Sequence, residues 1–229
     1  MHTPNSQLRR WHSTRSASQN GRSVLETLIV VTIAAIIASA AIPQLLHARR
    51  LMRSNALPRE VVNQLRFARQ QAMSQRQAVT FQYNDTTKTI TIFDHNNRSN
   101  SNPACNINGP AVLSAGGYPN TSCTTTMLTV PLTGAAVPSA DLSYGVPSGV
   151  SNSTLADTTT PTSLTAGVVN ITFQSDGSVV DATGNYLNRA MFLYNNKIPN
   201  ETAAAISILG ASGRIKLWRY NPSASQFAE

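Results

Sequence analysis

The sequence predicts an α+β protein: a long N-terminal, transmembrane α-helix packed on a C-terminal antiparallel β-sheet or sandwich. Three observations lead there. From Thr27 to Leu46 no Asp, Glu, Lys, Arg or His interrupts an apolar run. Apolar positions then recur at helical spacing through Val61, Leu65, Ala68 and Ala72. Beyond Ala78 the apolar segments are short, alternate with polar residues and are separated by turn residues. One helix followed only by strands argues for a helix laid on an antiparallel sheet.

The helix comes first. The twenty residues Thr27–Leu46 rise about 30 Å as a helix, the thickness of a bilayer's hydrocarbon core. In lipid only a helix satisfies its own backbone within a single span. Glu26 stands at the start of the run, where a carboxylate is costly without a partner to neutralise it, and that marks it as functional. Pro43 is expected to kink the helix rather than end it, and Pro58 offers a second bend. Val61–Ala72, joined by Val62 and Phe67, predicts an apolar stripe on a globular domain, with the arginines on the opposite face.

Charge says more through its placement than through its sum of +8. Residues 1–21 carry Arg9, Arg10 and Arg15 with no acid, which favours a cytoplasmic N-terminus and an outward-facing head. Arg49, Arg50, Arg53, Arg59, Arg66, Arg69 and Arg76 form a second cluster opposed only by Glu60. A solvated helix face is the plain reading of that cluster; packing against acidic groups of neighbouring subunits is the functional one. With 229 residues the chain has room for one ordinary domain beyond the anchor. Its low charge, 12% of residues, and its wealth of Ser, Thr and Asn fit an extracytoplasmic β domain.

The strands follow in order. Ala78–Tyr83 and Lys88–Phe93 alternate around Asn84-Asp85-Thr86-Thr87 and read as a hairpin. Residues 95–165 are rich in Asn, Ser, Thr, Pro and Gly, with short apolar pieces such as Met127–Leu132, and are expected to hold short edge strands and variable insertions. Further strands are Gly167–Phe173, Ser178–Val180, Ala190–Tyr194, Ala203–Leu209 and Arg214–Tyr220, with turns at Ser175-Asp176-Gly177 and Ser212-Gly213.

Gly21, Glu26 five residues later, the apolar run and then Pro43 resemble the class III signal of type IV pilins and pseudopilins. The resemblance implies that a prepilin peptidase cuts after Gly21 and methylates the new N-terminus at Arg22, where the family usually has Phe or Met. It implies a leader over 1–21, a transmembrane and filament-core helix over 22–46, an amphipathic continuation over 47–77 and a β-rich head over 78–229. It implies residence in the bacterial inner membrane with the head in the periplasm, then assembly with other pilin or pseudopilin subunits through Glu26 and Pro43. The rival is a plain anchor or an uncleaved signal sequence; a secretory signal would show a small-residue cleavage site, for which Ala38–Ala41 could pass, but Glu26 and the length of the run speak against it.

The stretches Ile171–Gly177 and Ile206–Trp218 are similar to H-type minor pseudopilins and FimT-like minor pilins, the GspH/FimT group. That implies a minor subunit of a type IV pilus or of a type II secretion pseudopilus. FimT-like pilins linked to DNA uptake carry a Gly-Arg-x-Arg motif, matched here by Gly213 and Arg214 with Lys216 in place of the second Arg. Alternation puts Arg214, Lys216, Trp218 and Tyr220 on one strand face. Cations beside aromatics suit a phosphate backbone and stacked bases, so DNA stands as the alternative partner. The plain reading is a solvent-facing strand whose charges discourage edge pairing, and three cations are few for DNA.

Cys105 and Cys123 flank a turn-rich loop and are expected to pair in an oxidising compartment. By chain entropy such a loop contributes about 3 kcal/mol. Without nearby histidines they do not make a metal site. Catalysis has no constellation behind it: His47 follows the apolar run, and His95 beside Asp94 reads as a surface residue. No cofactor or metal is expected. Asn-x-Ser/Thr sequons at Asn84, Asn97, Asn120, Asn152, Asn170 and Asn200 reflect composition.

Overall fold

The computed structural model describes residues 24–95, 124–134, 137–150, 154–181 and 185–229. Gly21, Arg22, Cys105 and Cys123 lie outside them. The chain divides into two compact units, Met1–Leu45 and Leu46–Glu229.

Helix α1, Val24–Gln75, runs through Pro43 and Pro58 as one element. Neither proline ends it, although each removes the N–H that would bond the carbonyl four residues back. The helix stops where Arg76 takes a left-handed φ of 53°. There Gln77 N–H turns back to the Ala72 carbonyl at 3.2 Å, a C-terminal cap that satisfies an orphan carbonyl.

In the first unit the described part of the chain is helix throughout, and all of it is exposed. In the second unit α1 buries Ser54, Leu57, Pro58, Val61, Val62, Leu65, Ala68 and Ala72. Phe67 departs from the expected stripe and is exposed. At 100° per residue it points about 200° away from Leu65, on the far side of the helix.

Two antiparallel sheets complete the second unit. The first contains β1 (Val79–Asn84), β2 (Thr89–Asp94), β3 (Thr125–Pro131) and β5 (Val168–Phe173), in the order β3-β2-β1-β5. The second contains β4 (Leu142–Tyr144), β6 (Arg189–Asn195), β7 (Ala204–Leu209), β8 (Arg214–Asn221) and β9 (Gln226–Ala228), in the order β4-β6-β7-β8-β9. A one-turn helix α2, Pro199–Thr202, links β6 to β7. The α+β class is therefore as expected.

The β1–β2 hairpin closes as its residues demand. Asn84 Oδ1 accepts from the N–H groups of Thr86 and Thr87 at 2.9 and 3.1 Å, the short-range bond that makes Asn a turn former. The register then sets Phe81 opposite Ile92 and Tyr83 opposite Ile90. Residues 95–165 do supply edge strands: β3 borders one sheet and β4 the other. Ser178–Val180 is not a full strand. Val179 instead forms a bridge to Phe173, donates to the Gly210 carbonyl and accepts from Leu187 N–H.

One core joins Val61, Leu65 and Ala68 of α1 to Phe81, Ile92 and Ile171 of the first sheet and Met191, Leu193, Ile206 and Ile208 of the second. A smaller cluster lies on the other face of the second sheet: Leu155, Ala190, Phe192, Ala205, Trp218, Tyr220 and Phe227. That sheet is buried on both faces.

Candidate functional site

The apolar half of α1 is the first candidate. Twelve large apolar side chains from Val24 to Leu46 are each between 48% and 83% exposed, far more contiguous apolar surface than an isolated soluble chain tolerates. Two of its hydroxyls bond to the helix's own backbone. Thr32 Oγ1 donates to the Ile29 carbonyl at 2.8 Å and Ser39 Oγ to the Ile36 carbonyl at 2.7 Å, so neither asks for water. Glu26 lies in the first turn, where the helix dipole favours a carboxylate. Among the described residues it has no hydrogen-bond or ion-pair partner. Pro43 is exposed on the same helix.

The second candidate is the β7–β8 hairpin, and here the expectations need correction. Lys216 and Trp218 do share a face, with the Lys216 ammonium 4.9 Å from the Trp218 ring centroid. Trp218 is only 5% exposed, and its Nε1–H donates to Ser207 Oγ at 2.8 Å. Tyr220 packs on Phe227 with ring centroids 5.3 Å apart. Neither aromatic offers a face to a base. Lys216 pairs with Glu229 at 2.8 Å, and Arg219 donates to Asn55 Oδ1 of α1 at 2.8 Å. Arg214 is exposed. β9 pairs with Arg219–Asn221, so among the described residues Arg214 and Lys216 stand on an uncovered strand edge, where the plain reading puts them.

Ser207 also donates to Asp157 Oδ2 at 2.5 Å. Burial pushes the Asp157 carboxyl up, but hydrogen bonds from Ser207 and Thr159, with Lys216 nearby, hold it below its ordinary value. The group is structural: Ser207 is fully buried and beyond reach of a substrate.

Gly213 has its own reason to be glycine. Its φ is 58°, and it sits against the Gly177 turn. Arg69 donates from Nε to the Gly177 carbonyl at 3.3 Å and from Nη2 to the Ser212 carbonyl at 3.0 Å. It departs from the outward face expected of the arginines and ties α1 to two turns at once. Closer to the start of the unit, Asn195 Nδ2 donates to Ser54 Oγ at 2.9 Å. Ser54 is the residue whose carbonyl Pro58 deprives of a helical donor.

The histidines part company. His47 lies 3.6 Å from Glu201, both about half exposed. His95 is 1% exposed, not a surface residue; its Nε2 is 2.6 Å from Thr80 Oγ1, itself 2.7 Å from Thr172 Oγ1. Burial lowers its pKa to about 4. Among the described residues no group of three or more His, Cys, Asp or Glu side chains is placed to hold a metal ion.

No family model and no curated protein matches this chain. Among solved structures it is similar to two crystal forms of the type IV minor pilin FimU of Pseudomonas aeruginosa, strain PAO1. Identity is 17%, the TM-score is 0.41, and the match covers 76% of this chain and 91% and 96% of the two FimU chains.

Proposed function

We propose that this chain is a pilin-like structural subunit of a type IV pilus or a type II secretion pseudopilus. A prepilin peptidase removes residues 1–21 after Gly21 and methylates Arg22. The apolar helix holds the protein in the inner membrane, with its head in the periplasm, until assembly draws it into a filament. There the apolar helices of many copies bury one another. Glu26 neutralises the positive N-terminus of a neighbour, an attraction little screened among apolar side chains. The Cys105–Cys123 pair closes a loop of the exported head.

The observation that carries this reading is the division of labour along α1. One part is apolar and exposed with a lone carboxylate at its start, and the other is built into a β head. Catalysis has no comparable support, and neither has DNA binding, now that Trp218 is occupied within the head.

The test separates anchoring from assembly. Glu26→Leu is expected to leave membrane insertion and leader cleavage intact and to reduce incorporation into sheared filaments severalfold. An unpaired charge among apolar helices costs several kcal/mol, so assembly depends on the pairing and insertion does not. Equal incorporation of the variant and the wild type at matched membrane levels would count against the assembly role. A mature N-terminus near Ala41 by mass spectrometry would replace the whole reading with ordinary signal-peptidase processing.

A further inference from the structure

A cleft of about 290 Å³ opens in the second unit between α1 and the second sheet. Arg49, Arg50 and Arg53 line it, with Ser54 and Asn195, a short apolar border of Leu46, Val137 and Pro138, and one acid, Asp141. Arg49 and Arg50 are exposed and have no partner among the described residues; Arg53 has one within the chain. The cleft therefore holds more positive charge than the protein itself compensates. A cleft lined mostly by one sign of charge focuses its field and raises the local concentration of anions.

Position along the helix says which anion. Arg49 follows the last residue of the uncharged run by three residues and Arg53 by seven. At 1.5 Å per residue Arg49 falls about 4–5 Å beyond the hydrocarbon edge, and Arg53 falls about 10 Å beyond it, from where its long side chain can reach back toward the headgroups. The headgroup layer on each side of a bilayer is roughly 5–8 Å deep. We propose that this cleft seats the phosphate of an anionic phospholipid from the leaflet the helix leaves. The arginines hold the phosphate oxygens, and the Leu46, Val137 and Pro138 border takes the glycerol end. A second copy of this chain is the weaker candidate, because only 10 Asp and Glu side chains stand against 18 Lys and Arg. The site rests on the membrane-spanning reading of the uncharged run.

The test uses the full chain in nanodiscs of phosphatidylcholine with a minor fraction of phosphatidylglycerol, and native mass spectrometry to count retained lipid. Arg49→Gln/Arg50→Gln/Arg53→Gln is expected to lower phosphatidylglycerol retention by about tenfold or more, since each basic residue at a membrane surface contributes roughly a fivefold step. Arg59→Gln/Arg66→Gln/Arg76→Gln removes the same charge outside the cleft and is expected to retain lipid as the wild type does. An equal loss in that control would mean diffuse attraction and overturn the site, as would undiminished retention in the cleft variant. Inorganic phosphate binding the detergent-solubilised chain as tightly as phosphatidylglycerol would overturn the lipid as source. Lost self-association with lipid retention unchanged would assign the cleft to a subunit contact instead. Resistance to alkaline carbonate extraction is read in parallel: an inserted chain that retains no lipid overturns the site alone, and an extracted wild type overturns the membrane reading with it.

Discussion

Gly213 and Gly177 meet backbone to backbone: a Cβ on Gly213 would lie 1.9 Å from the Gly177 carbonyl oxygen. At Gly177 the added Cβ would instead meet Met73 Sδ at 2.9 Å and Arg69 Nε at 3.0 Å, the far ends of flexible side chains. Both glycines have positive φ, so alanine at either costs about 1–2 kcal/mol from backbone strain alone. Gly213→Ala is expected to cost roughly 3 kcal/mol or more, because the opposing atom belongs to the backbone. Gly177→Ala should stay near the strain term. Urea denaturation of both variants checks the order, and equal losses would contradict it.

Arg69 extends that contact to the helix by donating to the Gly177 and Ser212 carbonyls. Arg69→Lys keeps the charge and loses the planar fork that reaches two carbonyls at once. It is expected to be nearly as destabilising as Arg69→Ala, by about 1–3 kcal/mol. A lysine variant as stable as the wild type would show that charge alone suffices.

Trp218 is expected to behave as an interior residue. In a chain carrying Trp11→Phe it is the one remaining tryptophan. Its emission should be weakly quenched by acrylamide and unchanged by added single-stranded DNA. Ser207→Ala would leave the buried Trp218 Nε1–H without its acceptor, at a cost of about 1–3 kcal/mol. Strong quenching by either agent would reopen the nucleic-acid reading.

His95 predicts a pH dependence whose sign is fixed. Unfolded, the imidazole takes a proton near pH 6.5; folded, burial delays that to about 4. Between those values the unfolded state binds more protons, so stability falls as the pH drops through the window. The loss approaches roughly 3 kcal/mol. His95→Gln should flatten that part of the profile. Denaturation midpoints that do not move between about pH 7 and about pH 4 would contradict it.

What the sequence could reveal was what short spacings encode. The 84–87 turn, the alternation in Val79–Asn84 and Thr89–Asp94, and the Val61–Ala72 stripe are all decided by neighbours along the chain. Phe67 shows the limit: it is apolar, but it sits on the wrong side of the helix to join Leu65. His95 looked exposed because it follows a strand beside an acid, and its burial comes from Thr80 and Thr172 on other strands. Trp218 obeyed its alternation, but Leu155, distant in sequence, and Phe227 of the following strand cover the face it points to. The glycine of the Gly213-Arg214 motif suggested a ligand and serves a turn-to-turn contact. The arginine cleft was visible as a charge cluster, while its walls at Val137, Asp141 and Asn195 were not.

The ties Arg69 to the Gly177 and Ser212 carbonyls, Arg219 to Asn55, and Asn195 to Ser54 share one property: every acceptor is neutral. Ionic strength weakens attractions between exposed opposite charges, with a screening length of about 10 Å at 0.1 M salt and about 3 Å at 1 M. It has little hold on a guanidinium that ends on a carbonyl or an amide in contact with it. These three ties between α1 and the sheets are thus contacts that brine does not loosen. A head built this way keeps its grip on its helix whether the surrounding fluid is fresh or saline.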